Sequence, residues 1–170
     1  MSPRYRSPAD FILGVFDLQQ DSEPRGPISI QPIHRLLKPR SIALVGVSAR
    51  GGAGATILKS GDRFGHGVPT WPVNPNHREI GGRACYRSLR DLPQTPDCVV
   101  VSVPADAVLD VVEQAASAGI LAVYVVSEGF ADAASDEGRA RQAELVALAR
   151  AKGIALAGPN CMGLASLTYG

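Results

Sequence analysis

Ser41-Ile-Ala-Leu-Val-Gly-Val-Ser-Ala-Arg-Gly-Gly-Ala-Gly54 decides the reading of this chain. It opens as an apolar run, Ile42 to Val45, breaks into glycines from Gly46, and passes into a helical pattern at Ala55-Thr-Ile-Leu-Lys59. An apolar strand that ends in glycines and starts a helix is the phosphate-cradling turn of a nucleotide-binding α/β unit: the turn brings backbone N–H groups and a helix N-terminus to an anion.

Working outward, the same alternation recurs. Pro32 to Pro39 predicts a short helix stopped by proline, followed by a strand at 41–47 and a helix at about 54–64. Val68 to Val73 predicts a second strand, ended by Asn74-Pro75-Asn76. The next stretch reads as a loop containing Gly81-Gly82 and a short turn at Ser88 to Pro93. Cys98 to Val103 is a continuous apolar run, as in a parallel strand covered on both faces. A helix opening at Pro104 and closed by Gly119 follows. Ile120 to Val126 predicts a fourth strand. Ser135 to Lys152 predicts an amphipathic helix with Leu145, Leu148 and Ala149 on one face, capped by Gly153. Ile154 to Ala157 predicts a fifth strand. The fold class expected is α/β: a Rossmann-like, doubly wound, mainly parallel sheet with helices on both faces.

Residues 1–32 differ from the rest. Ser7-Pro8-Ala9-Asp10 has the form of a helix start, and Phe11, Ile12, Val15, Phe16 and Leu18 supply an apolar face, but Gln19 to Pro32 is polar and proline-bearing. The expected organisation is an N-terminal extension and linker over 1–32 and one ligand-binding domain over 33–170. Chain length, 170 residues, and 45% hydrophobic content suit one domain with a self-sufficient core. A formal net charge of +1 gives no electrostatic footprint for nucleic acid or an anionic membrane. No apolar run approaches the ~20 residues of a spanning helix, and no signal peptide is evident. Cys85, Cys98 and Cys161, odd in number and without CxxC spacing, point to thiols in a reducing cytoplasm. His34, His66 and His77 are scattered, and no metal site is expected.

Ligands of parallel sheets sit beyond the carboxyl ends of the strands. The informative segments are therefore Ser48-Ala-Arg50, Asn74-Pro-Asn-His77, Val103-Pro-Ala105, Ser127-Glu-Gly129 and Gly158-Pro-Asn-Cys161. The dinucleotide pattern G-x-G-x-x-G is imperfect here, because Gly46-Val-Ser-Ala-Arg-Gly51 has Ser48 at the second glycine. The second strand ends in Asn74 instead of the Asp or Glu that holds a dinucleotide ribose. A Walker A pattern is absent as well. A ligand whose ribose carries a 3′-phosphate, such as coenzyme A, has no use for an acid at that edge, and Arg50 and His77 are cations nearby.

Taken together, Leu37-Lys-Pro-Arg-Ser-Ile-Ala-Leu-Val-Gly-Val-Ser48, Trp71-Pro-Val-Asn-Pro-Asn76, Val101-Ser-Val-Pro-Ala105, Ser127-Glu-Gly-Phe130 and Gly158-Pro-Asn-Cys-Met-Gly163 resemble the CoA-binding domain of NDP-forming acyl-CoA synthetases. The α subunit of succinyl-CoA synthetase begins with a similar domain. The resemblance covers about residues 33–167. It implies that Gly46, Ser48, Ala49 and Arg50 hold the CoA phosphates, and that Val73, Asn74, Pro75 and His77 line the adenosine side, where the family often carries a lysine near the position of His77. It implies that Val103, Pro104 and Ala105 lie beside the nucleotide, that Ser127 and Glu128 meet the pantetheine, and that Asn160 and Cys161 face the thiol end. In the family, catalysis uses a phosphohistidine on a following domain and an ATP-grasp domain that binds ATP or ADP with magnesium. No histidine here matches the catalytic one, so the implied role is binding of CoA or acyl-CoA, with catalysis left to partner domains or subunits in an oligomeric assembly. Three other readings stay open: a CoA-sensing regulatory module of a protein-acetyltransferase type, an NAD(P)-binding Rossmann domain, and a pure interaction module.

Overall fold

The computed structural model describes residues 30–64 and 67–161. The helix expected near 8–18 and nearly all of the linker after it lie outside the described residues. Helix α1 spans Ile30–Leu37, and Lys38 closes it with a hydrogen bond from its N–H to the His34 carbonyl oxygen (2.8 Å) before Pro39. Strand β1 (Ile42–Val45) leads through the glycine turn to α2 (Ala53–Phe64), then to β2 (Thr70–Val73). After a small hairpin, β3 (Glu79–Ile80) with β4 (Arg83–Ala84), come β5 (Cys98–Val101), α3 (Val108–Ser117), β6 (Ala122–Val125), α4 (Asp136–Lys152) and β7 (Ala155–Ala157).

Five strands form one sheet in the order β2-β1-β5-β6-β7, every neighbouring pair parallel. Side chains alternate across it, as strand geometry requires. Ala43, Val45, Val99, Val101, Val123 and Val125 point to one face and pack with Val108 and Val112 of α3 and Leu145 and Ala149 of α4. Leu44 points to the other face, where Leu58 of α2 meets Ile80 and Cys85 from the hairpin. On that same face Cys98 and Ala122 receive Leu36 of α1. The sheet is therefore doubly wound, and the expected class stands. Burial of a valine of this kind stabilises the fold by about 1.5–3 kcal/mol, which is why Val-rich β5 and β6 sit at the centre of the sheet.

Three local features depart from the sequence reading. The stretch after β2 is not a plain loop: Gly81 (φ 60°) and Gly82 (φ 73°) both take left-handed backbone and close the β3–β4 hairpin as a two-residue turn. Two-residue strands carry too little alternation to be seen in advance. Pro104 does not open an α-helix directly. Its backbone is extended, a 3-10 turn covers Ala105–Ala107, and α3 proper starts at Val108. Finally, strands β1, β5 and β6 stop one or two residues short of their apolar runs, so Val47, Ser102, Val103 and Val126 belong to the loops at the carboxyl edge.

At the amino edge, Asp97 is buried. It accepts hydrogen bonds from the main-chain N–H of Arg40 (3.1 Å) and from Arg40 Nε (3.0 Å), while its own N–H donates to Ser41 Oγ (3.1 Å). These contacts pin the start of β1 to the start of β5, opposite the ligand edge. No helix of the described residues is long and apolar enough to cross a membrane.

Candidate functional site

The strand order reverses between β1 and β5: the chain leaves β1 to build β2 on one side and later returns to place β5 on the other. Such a switch point leaves a crevice at the carboxyl edge, because the two connections run off in opposite directions. A cavity of about 370 Å³ lies there, within the ~300–1,000 Å³ of small-molecule sites. Its lining includes Val45 and Gly46 at the end of β1, Val73 to Asn76 at the end of β2, and Ser102, Val103 and Pro104 just beyond β5. Arg87 and Ser88 close another side. Among the described residues, the lining contains one cation, Arg87, and no carboxylate.

The phosphate turn has a constrained geometry. Gly46 has φ 89°, and a Cβ placed on it would lie 2.3 Å from the carbonyl oxygen of Ser102. Only glycine fits a left-handed residue at such a close approach. Gly54 sits under the first turn of α2, where a Cβ would lie 3.3 Å from Val47 Cα and 3.4 Å from Ser102 Cβ. Gly54 therefore allows the close helix–strand packing, whereas a Cβ on Gly51 would meet nothing within 4 Å. Within the turn, the N–H groups of Arg50 and Gly51 donate to Ser48 Oγ and Ser48 O (both 3.2 Å), and that of Gly54 donates to Ser102 Oγ (3.1 Å). Among the described residues, the N–H groups of Gly52 and Ala53 have no such partner. They stand at the positive end of a 12-residue helix, which suits them to an anionic ligand.

Each neighbouring pair of strand ends is tied. Asn74 Nδ2 donates to the Val47 carbonyl oxygen (2.7 Å), joining β2 to the phosphate turn. Gly54 and Ser102 join that turn to β5. Ser127 Oγ donates to the Val103 carbonyl oxygen (2.6 Å), joining β6 to β5. The Asn160 N–H donates to the Ser127 carbonyl oxygen (3.0 Å), joining β7 to β6. Ties of this kind preorganise the edge.

The sequence-predicted residues divide in two. Gly46, Val73, Asn74, Pro75, Val103 and Pro104 line the cavity together. Ser48, Ala49 and Arg50 form the turn beside it, with Ala49 and Arg50 exposed. His77 is half-buried, its N–H directed at the Asn74 carbonyl oxygen (3.4 Å), and it does not line the cavity. Ala105, Ser127, Glu128, Asn160 and Cys161 lie further along the edge, outside the cavity lining. They remain continuous with it through the Ser127–Val103 bond and the approach of Gly129 to Ala105. Cys161 donates its N–H to the Val125 carbonyl oxygen (3.2 Å).

The sequence reading missed Ser102, Arg87 and Ser88. Ser102 was counted inside an apolar run. Arg87 is placed by a single bridge: Tyr86 pairs with Val73 as a short extension of the sheet beyond β2, with Tyr86 N–H to Pro72 O (3.0 Å) and Asn74 N–H to Tyr86 O (2.8 Å). No local pattern marks a one-residue bridge. Burial pushes the Cys98 thiol up to about 12 and raises Cys85 as well, which disfavours the reactive thiolate at both. Among the described residues, no group of His, Cys, Asp and Glu is arranged to hold a metal ion.

Comparison with known proteins agrees with this geometry. A family model described as a CoA binding domain matches residues 40–166. The chain is 41% identical over 136 residues to a trans-feruloyl-CoA synthase of an unknown prokaryotic organism, covering 79% of this chain and 19% of that protein. It is 37% identical over 133 residues to the ADP-forming acetate–CoA ligase I of Archaeoglobus fulgidus, covering 78% and 19%. It is 34% identical over 137 residues to the α subunit of the ADP-forming acetate–CoA ligase I of Pyrococcus furiosus, covering 78% and 29%. The chain thus spans less than a third of these curated relatives. Among solved structures, the dinucleotide forming acetyl-coenzyme A synthetase 1 of Ca. Korarchaeum cryptofilum, in complex with phosphate and ADP, superimposes with TM-score 0.69 at 33% identity, covering 75% of this chain and 27% of that one. A conserved hypothetical protein from Pyrococcus furiosus superimposes with TM-score 0.55 at 35% identity, covering 72% and 96%.

Proposed function

The chain belongs to the CoA-binding domain family, and from that premise we propose that it binds CoA or acyl-CoA along the carboxyl edge of its sheet, as the CoA-binding part of an NDP-forming acyl-CoA synthetase. The observation that carries the reading is the acid-free cavity at the β1/β5 switch point, walled by Gly46, Asn74 and Pro104. A dinucleotide ribose is held by a carboxylate at the end of the second strand, and Asn74 occupies that place. The N–H groups of Gly52 and Ala53 and the α2 N-terminus receive the pyrophosphate. The adenosine side enters the cavity. The pantetheine arm runs past Val103, Ala105 and Ser127 toward Asn160 and Cys161.

Acid activation and phosphoryl transfer fall to an ATP-grasp domain and a ligase domain, on partner subunits or elsewhere in a longer chain. ATP or ADP and magnesium act there, in an oligomeric cytoplasmic assembly. Titration calorimetry with CoA, acetyl-CoA, NADH and NADPH tests the reading: CoA and acetyl-CoA bind and the nicotinamide nucleotides do not. Binding of NADH without CoA overturns it. Incubation with ATP, magnesium, an acyl acid and CoA yields no acyl-CoA from this chain alone, and product formation would place the catalytic groups inside it.

A further inference from the structure

The cavity has a charge requirement that the expected cations do not meet. A phosphate monoester on the ribose of CoA carries close to two negative charges at neutral pH and needs a cation at hydrogen-bonding range. Arg50 is exposed on the phosphate turn, and neither it nor His77 is in the cavity lining. Among the described residues, the one cation in the lining is Arg87, which shares that lining with Asn74, Pro75 and Asn76.

Its position is fixed from both sides. Tyr86 is held to β2 by two main-chain hydrogen bonds, to Pro72 O and from Asn74 N–H. Leu89, two residues on, is buried in the main core. Ser88 adopts extended backbone, and its Oγ donates to Asp91 Oδ2 (2.8 Å). That bond uses the carboxylate nearest in sequence, and Arg87 makes no ion pair among the described residues. An arginine on an anchored backbone, at the mouth of a cavity without acids and with no carboxylate paired to it, is preorganised for a planar, bidentate contact with phosphate.

We propose that Arg87 forms a phosphate-monoester subsite in this cavity and selects the 3′-phosphate that distinguishes CoA from dephospho-CoA. The proposal rests on the CoA reading above. Asn74 and Asn76 supply neutral hydrogen-bonding walls there, and Arg87 supplies a charge that no other described residue of the lining carries.

The test compares the affinities of CoA and 3′-dephospho-CoA, measured by calorimetry, in the wild-type chain and in Arg87→Gln and Arg87→Lys. The wild-type chain binds CoA more tightly than dephospho-CoA by about tenfold or more, the scale of a hydrogen-bonded charge contact. Arg87→Gln brings that ratio close to one by weakening CoA and leaving dephospho-CoA unchanged. Arg87→Lys keeps part of the preference, which a purely structural role for the side chain would not explain. Thermal unfolding of both variants matches the wild type, because the side chain is exposed. An unchanged ratio in Arg87→Gln, or an equal loss for both ligands, overturns the subsite while leaving CoA binding intact. Failure of the wild-type chain to bind either ligand overturns the CoA reading and the subsite with it.

Discussion

Asn74 Nδ2 donates to the carbonyl oxygen of Val47 at 2.7 Å, and Asn74 Oδ1 accepts from the N–H of Asn76 at 2.9 Å. One side chain thus clamps the end of β2 to the phosphate turn and shapes its own Asn-Pro-Asn turn. The donor is what excludes an acid from this place. An aspartate would keep the bond to Asn76 but would set a carboxylate oxygen against the Val47 carbonyl. Asn74→Asp therefore costs about 1–3 kcal/mol of stability, the penalty of a lost donor facing an acceptor. It also weakens CoA binding, because it adds negative charge to the cavity. Urea unfolding and calorimetry check both effects, and a variant with wild-type stability would show that the clamp contributes nothing.

Gly46 and Gly51 separate two reasons for glycine. Both have left-handed backbone, φ 89° and 113°. A Cβ on Gly51 would meet nothing within 4 Å, whereas one on Gly46 would strike the Ser102 carbonyl. Gly51→Ala bears only the backbone strain, about 1–2 kcal/mol. Gly46→Ala adds a clash with main chain that cannot move without disturbing β5, and it costs about 3 kcal/mol or more. Equal melting temperatures for the two variants would mean that the β1–β5 edge yields easily.

Much of this was legible in the sequence. The glycine turn after Val45, the Val-rich run at 98–101 and the capped helix 136–152 each combine periodicity with an end signal, and all three appear where expected. In α4, the Ser135 hydroxyl accepts from the Gly138 N–H (3.0 Å) and Gly153 ends the helix at φ 66°, so local chemistry fixes both ends. What could not be read depends on residues distant in the chain. Ser102 caps a helix that begins 49 residues earlier at Ala53, and its serine looks like any strand residue. Arg87 owes its place to the Tyr86–Val73 bridge. Gly54 packs against Val47 and Ser102, and Ser102 lies 48 residues further along the chain.

Arg50 lies exposed on the phosphate turn, where its N–H donates to Ser48 Oγ. Reversing its charge leaves the fold alone and acts on the ligand. Arg50→Glu weakens CoA binding by about 1–3 kcal/mol, the scale of a charge-assisted contact with phosphate, and the loss shrinks at high salt as exposed charges are screened. Calorimetry at two ionic strengths measures this. An unchanged affinity would mean that the Arg50 side chain points away from the pyrophosphate.

Asp97 gives the fold a pH dependence at the edge away from the ligand. Its hydrogen bond from the Arg40 guanidinium, together with the Arg40 N–H and the charges of Arg40 and Arg35, holds the carboxyl below its ordinary range against the opposing effect of burial. A carboxyl with a depressed folded-state pKa adds stability that is complete above its unfolded pKa of ~3.9 and is lost as pH falls through the folded value. Asp132, lowered chiefly by the N–H groups of Gly129 and Phe130, acts in the same window. Asp97→Asn therefore flattens, without abolishing, the fall in urea midpoint below about pH 4. A wild-type slope in that variant would remove Asp97 from the account.

Ser127 and Asn160 carry the last link of the ligand edge. The Ser127 hydroxyl donates to Val103 O, and the Ser127 carbonyl accepts from the Asn160 N–H. Ser127 is buried, so Ser127→Ala leaves the Val103 carbonyl without this donor and costs about 1–2 kcal/mol. Its effect on ligands depends on where they lie. On the proposed reading the adenosine end enters the cavity at the β2, β1 and β5 ends, while the pantetheine arm passes Ser127 on the neighbouring β6 end. Ser127→Ala therefore lowers the affinity for CoA but spares that for adenosine 3′,5′-bisphosphate, which lacks the pantetheine arm. Equal losses for the two ligands would show that the β5–β6 tie shapes the whole groove, and loss for the bisphosphate alone would reverse the proposed direction of the ligand along the edge.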